Sequence, residues 1–310
     1  MTITGICLRR QRCYRLFLLP VVLLLLHVCI VPQARTAEKS TELLIGIEPE
    51  HNIFDQVLGY KVLAGYLSDK LGLPVKLTIM SRYGEVLDRF RSLHLDGALL
   101  SSYPATLAVK KLGLVPVANL VNLEGVSTSK GYIFVRKDSG ISGVGDMRGK
   151  SVVFVDKATT EGYLFAMSFF RQHGVTDPDS YFSRYYFTGS HASAVFAVLD
   201  GRADVGSAKD TVYEQLVSKD RSIRQELNII ARSPAVPEVT LCMKNDLEPE
   251  LLEKLRTSLL TMGQEVEGHR VLKQLKARRF VLSDPDSFAV VLEMAEEAGY
   301  DTLNGGGSNR

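Results

Sequence analysis

Four short polar stretches have the residue types of a site: Glu48-Pro49-Glu50-His51-Asn52, Ser101-Ser102-Tyr103, Thr159-Thr160-Glu161-Gly162 and Gly189-Ser190-His191. The last three each lead into an apolar-periodic run that reads as a helix. Unpaired N–H groups and the dipole at a helix start favour an anion, and hydroxyls add donors. Ser and Thr are also ordinary N-caps, so capping alone accounts for any one of these turns. Three of them in equivalent positions make the stronger case for a ligand. Catalysis has less support: Ser190 and His191 are adjacent in sequence, a poor geometry for nucleophile and base. Glu48, Glu50 and His51 have metal-ligand chemistry, but a solvated acidic loop explains them better, and no metal or cofactor is expected. Cys242 lies in the apolar run 239–243 and reads as core.

The elements that must position these turns follow from the hydrophobic pattern. Short apolar runs at 43–47, 75–79, 96–100 and 114–120 alternate with amphipathic stretches at 54–71, 83–93 and 104–112. The cycle repeats with strands at 131–135, 151–155, 185–188, 202–206 and 227–231, and helices at 162–173, 192–199 and 211–217. Strand 238–243 and helices 248–262 and 287–298 complete the chain. Such alternation predicts an α/β fold with largely parallel sheets. Two similar units suggest two lobes with a cleft between them, lined by loops at the carboxyl ends of parallel strands. The strands 132–135 and 239–243 are expected to be the two crossings, with the late helices packed on the first lobe. The boundaries are then a leader over 1–37, a first lobe of 38–135 plus 237–310, and a second lobe of 136–236.

The 310 residues carry 37 Lys+Arg against 35 Asp+Glu, a formal net charge of +2. Five of the arginines (Arg9, Arg10, Arg12, Arg15 and Arg35) fall in the first 37 residues, which hold no acid, so the body has 32 basic and 35 acidic residues and a net charge of −3. A mildly acidic body argues against nucleic-acid binding. Four of these arginines precede the apolar run 16–31, the pattern of a secretory signal. Arg35 spoils the small-residue pattern for cleavage after Ala37, which leaves an uncleaved membrane anchor as the alternative. Both place the body in the periplasm.

Several segments together carry a family likeness. Tyr60-Lys61-Val62-Leu63-Ala64-Gly65-Tyr66-Leu67 resembles a "Y-K-P-L-A-x-Y-L" helix, and Met147-Arg148-Gly149-Lys150-Ser151-Val152-Val153-Phe154 resembles "L-R-G-K-x-V-x-F". Gly189-Ser190-His191-Ala192-Ser193-Ala194 follows "G-S-H-D-A-A", with Ala192 in place of the acid. Asp96-Gly97-Ala98-Leu99-Leu100-Ser101-Ser102-Tyr103, Val135-Arg136-Lys137-Asp138-Ser139-Gly140-Ile141 and Ser233-Pro234-Ala235-Val236-Pro237 add further matches. Over 41–300 the chain resembles the periplasmic phosphonate-, phosphite- and phosphate-binding proteins of ABC importers, a branch of the bilobal type II periplasmic binding protein fold. The resemblance implies a monomeric, non-enzymatic protein that holds a small oxyanion or zwitterion between its lobes for a permease. A membrane-tethered sensing or accessory domain of the same fold is the alternative.

The likeness also implies a site. The anion would sit on the turn of Thr159, Thr160, Gly162 and Tyr163, matching "S-T-S-G-Y" except at Glu161. His191 and Ser190 would donate from the second lobe, with Ser102 and Tyr103 closing from the first. Asp210 would meet a ligand amino group or cap the helix that follows it. Glu161 would either point outward or face a ligand that carries positive charge.

Overall fold

A computed structural model of the protein describes residues 41–48, 53–80 and 85–300. The leader over 1–37, together with Glu50 and His51, lies outside them. The chain runs β1 (Leu43–Ile47), α1 (Ile53–Leu71), β2 (Val75–Ile79), α2 (Val86–Ser92), β3 (Gly97–Leu100), α3 (Ser102–Leu112) and β4 (Val115–Asn122). After β5 (Thr128–Ser129) come β6 (Gly131–Arg136), β7 (Ser151–Phe154), a π-turn at Thr160–Leu164, α4 (Phe165–Gln172), α5 (Pro178–Tyr181) and β8 (Arg184–Phe187). Next are α6 (His191–Leu199), β9 (Val205–Lys209), α7 (Asp210–Lys219), α8 (Ser222–Glu226) and β10 (Leu227–Arg232). β11 (Val236–Pro237), β12 (Thr240–Met243), α9 (Pro249–Thr261), α10 (Val266–Gln274), β13 (Ala277–Leu282) and α11 (Ala289–Glu297) follow.

Two sheets form, a six-stranded one in the order β13-β4-β12-β3-β1-β2 and a five-stranded one in the order β10-β6-β9-β7-β8. In the first, β2, β1 and β3 are parallel and β12 inserts antiparallel between β3 and β4. In the second, β8, β7 and β9 are parallel and β6 inserts antiparallel between β9 and β10. Each lobe therefore repeats one plan and receives one antiparallel strand from chain that has just crossed over. The repeat extends to a hydrogen bond. Asp96, one residue before β3, accepts the Leu44 N–H at 2.8 Å. Asp204, one residue before β9, accepts the Ser151 N–H at 2.8 Å and the Ser151 hydroxyl at 2.6 Å. Each acid clips its strand to the neighbouring parallel one.

Three expectations need correction. The crossings are not 132–135 and 239–243: the first lies in β6 of the second sheet and the second within or beside β12 of the first. Those runs are apolar because they are buried sheet interior. The crossing itself is the two-residue ribbon β5–β11, in which Val236 pairs with Ser129 and Pro237 with Thr128, so the second lobe's sheet begins at Gly131. The late helices divide. Buried residues of α9 and α10 pack with α1 in the first lobe. Those of α11 (Val291, Met294 and Ala295) pack with Phe165 and Phe170 in the second. Glu297 fixes that contact by accepting from Ser168 and Gln172. Finally, α10 and β13 were not anticipated. Their polar residues face solvent, and β13 shows the edge-strand pattern of Arg278 and Arg279 exposed beside buried Phe280.

The strand clip gives a test. Burial works against ionisation of Asp204, but the hydroxyl and N–H of Ser151 outweigh it and hold the carboxyl below its usual value. Its contribution is therefore present at neutral pH and lost as pH falls through the depressed value. Asp204→Ala should lower the unfolding free energy by about 1.5–3 kcal/mol at neutral pH. In urea melts the difference from wild type should shrink once pH drops below about 4.

Candidate functional site at the seam between the lobes

The turn after β7 folds back onto its own strand. Leu164 N–H reaches Thr159 O at 3.1 Å, which gives the π-turn, and Val155 N–H donates to Gly162 O at 3.2 Å. Only glycine fits at 162, since a Cβ there would stand 2.6 Å from Val155 Cβ and 2.7 Å from Thr159 Oγ1. Thr159 donates its hydroxyl to Asp156 O at 2.7 Å and caps nothing. Thr160 Oγ1 accepts from Ser102 Oγ at 2.7 Å, a direct bond from one lobe to the other between fully buried side chains. The partner turn is held in turn by Glu48, whose Oε2 accepts the Ser101 N–H at 2.8 Å and the Ser101 hydroxyl at 2.6 Å. Glu48 thus anchors the first-lobe turn.

Glu161 faces inward. Its side chain is buried, accepts from Ser129 Oγ at 2.6 Å and lies 3.9 Å from Lys209 Nζ. Lys209 ends β9, is 3% exposed, and places Nζ 2.7 Å from Glu238 Oε2. Glu238 immediately follows the crossing strand β11 and also accepts the Val239 N–H. The expected choice between an outward carboxylate and a cationic ligand therefore has a third answer: the protein supplies an ammonium group of its own.

The remaining residues divide between this seam and its surroundings. His191 is buried at the start of α6, and its Nδ1 accepts the Lys209 N–H at 3.0 Å. In the neutral ring the proton is then on Nε2, which makes that nitrogen a donor. Ser190 is the cap of α6 and accepts the Ser193 N–H. Asp210 accepts the Thr211 N–H at 2.7 Å. Burial pushes its carboxyl up to about 6; the backbone of Lys130 and Thr211 pulls it back, and nearby Glu161 and Glu238 raise it further. Tyr103 packs edge-on against Tyr300 at 6.3 Å, and Tyr300 packs edge-on against Tyr163 at 6.1 Å, so an aromatic stack from both lobes closes one side of the seam. A cavity of about 510 Å³ lies between the lobes, walled by Tyr60, Leu120 and Lys276 from one lobe and by Ser190, Lys209 and Thr211 from the other.

Lys209, Glu238 and Ser129 were not among the expected site residues. The available signal for Lys209 was a charged residue closing the uncharged, small-residue stretch 205–208, where a lysine is buried only when paired.

With this geometry in hand, comparisons with known proteins are informative. Residues 45–288 match the family model described as "ABC transporter, phosphonate, periplasmic substrate-binding protein". The chain belongs to that family. Its relatives include the phosphate-import protein PhnD of Mycolicibacterium smegmatis, 26% identical over 236 residues that cover 73% of this chain and 74% of the relative. Among solved structures, a binding protein component of an ABC phosphonate transporter from Pseudomonas aeruginosa superposes with a TM-score of 0.72 at 23% identity, covering 84% of this chain and 87% of that one. PhnD1 of Prochlorococcus marinus, solved with methylphosphonate, gives a TM-score of 0.72 at 18% identity, covering 84% and 98%. These structures share the bilobal type II periplasmic binding fold. The family is one of transport proteins that act outside the cytoplasm.

Asp210 supplies the test of these electrostatics. Its raised carboxyl takes up a proton in the folded state that the unfolded chain releases near the ordinary 3.8. Its charge therefore costs stability increasingly as pH rises from there to about 6, and fully above that. Asp210→Asn should raise the melting temperature at neutral pH, with the gain fading by about pH 4. A gain that does not change with pH would remove this carboxyl from the buried cluster.

Proposed function

We propose that this protein captures a small oxyanion (phosphonate, phosphite or phosphate) between its lobes and delivers it from the periplasm to the permease of an ABC importer. The observation that carries the reading is the Ser102–Thr160 bond at the seam, which brings hydroxyls from both lobes to the start of the helix after β7. An oxyanion takes the place of that direct bond, accepting from Ser102, Thr160 and the N–H groups of the π-turn. His191 Nε2 donates from the start of α6, and Tyr103 with the aromatic stack shields one side. Binding is local, because a body with a net charge of −3 offers no broad basic field. Buried donors left without a partner by a wrong ligand provide the selectivity. The protein acts as a monomer and catalyses nothing; lobe closure is its output.

A thermal-shift series with methylphosphonate, phosphite and phosphate tests this. A ligand at a hundred times its Kd stabilises by about 2.7 kcal/mol, so at least one of the three should raise the melting temperature measurably at millimolar concentration. No shift with any of them would contradict the reading. His191→Ala should weaken binding of the effective ligand at least tenfold while circular dichroism shows the fold retained.

A further inference from the structure

We propose that Lys209 is a built-in cation that makes the site select oxyanions without a positive group over zwitterionic aminoalkyl ones. The inference rests on the oxyanion reading above and narrows its substrate class. Two buried carboxylates from different elements converge on one ammonium: Glu238 Oε2 at 2.7 Å and Glu161 Oε1 at 3.9 Å from Lys209 Nζ. Buried carboxylates need a cation or strong donors close by. Ser129 meets one oxygen of Glu161, and Lys209 supplies the positive charge.

The position of that charge is what bears on the ligand. Glu161 directly follows Thr160, and the backbone N–H of Lys209 orients His191, so the ion pair is built on residues that adjoin the donors assigned to the anion. Lys209, with Ser190 and Glu238, also walls the 510 Å³ cavity. A ligand with a phosphonate at one end and an ammonium at the other would direct its cation to these same carboxylates. It would find the place taken and meet like charge. A ligand with a neutral substituent meets no such conflict.

Calorimetry on wild type, Lys209→Ala and Lys209→Met with methylphosphonate and 2-aminoethylphosphonate tests this, with melting curves in methylammonium chloride alongside. Wild type should bind methylphosphonate at least tenfold more tightly than 2-aminoethylphosphonate. Lys209→Ala should gain at least tenfold for 2-aminoethylphosphonate. Its melting temperature should rise with methylammonium, whereas wild type and Lys209→Met should not respond. Equal wild-type affinities, or a preference for 2-aminoethylphosphonate, would overturn the proposal. So would loss of methylphosphonate binding by Lys209→Ala with no gain for the amino compound, which would make Lys209 a direct contact of the anion. Where Lys209→Ala does not fold, the wild-type preference decides. If wild type binds neither compound, the methylammonium response of Lys209→Ala still decides whether a cation site exists, and the oxyanion reading itself fails only if phosphite and phosphate do not bind either.

Discussion

The ammonium of Lys209 ties the π-turn, the end of β9 and the return crossing to one another. It ends the third parallel strand of the second lobe and stands between a carboxylate on the π-turn and one at the end of the return crossing. Without it, Glu161 and Glu238 would be buried carboxylates short of a cation, and removing one partner of such a buried pair costs about 3–5 kcal/mol. The same residue's backbone N–H fixes the His191 ring. The turn, the crossing and the imidazole thus depend on one position, 209. That dependence explains how an acidic body can hold a carboxylate next to a proposed anion site.

Around this cluster the fold provides two lobes and several contacts between them. The crossing ribbon is only two residues on each strand. Opposing it are the Ser102–Thr160 bond and the stack of Tyr103 on Tyr300, with Tyr300 carried by the segment after α11. Because α11 is anchored to the second lobe through Glu297 and its apolar face, Tyr300 reaches the first-lobe ring from a fixed base. The lobes are therefore joined at the seam as well as at the crossing ribbon.

Much of this was legible in the sequence. The alternation of strands and helices and the turns at their ends follow from periodicity and turn chemistry. The hydroxyls of Ser101 and Thr159 resembled caps, but the structure gives them other partners: Glu48 Oε2 and Asp156 O. Lys209 escaped because the apolar pattern set a strand at 202–206, whereas Asp204 clips the chain so that β9 runs from Val205 to Lys209. A shift of three residues moved the lysine from an expected loop to a buried strand end. The direction of Glu161 was not legible at all, since a carboxylate in the first helical turn suits the dipole whether it points in or out. The crossings were misplaced because a two-residue ribbon has no periodicity to detect.

A crystal structure of the protein with methylphosphonate tests the central claim most directly, because it locates the anion and the ammonium at once. The account predicts phosphonate oxygens within hydrogen-bond distance of Thr160, Ser102 and His191 Nε2, with Lys209 Nζ still between Glu238 and Glu161. An anion bound in the outer cavity away from Thr160, or one that has drawn Lys209 off its carboxylates, would contradict it.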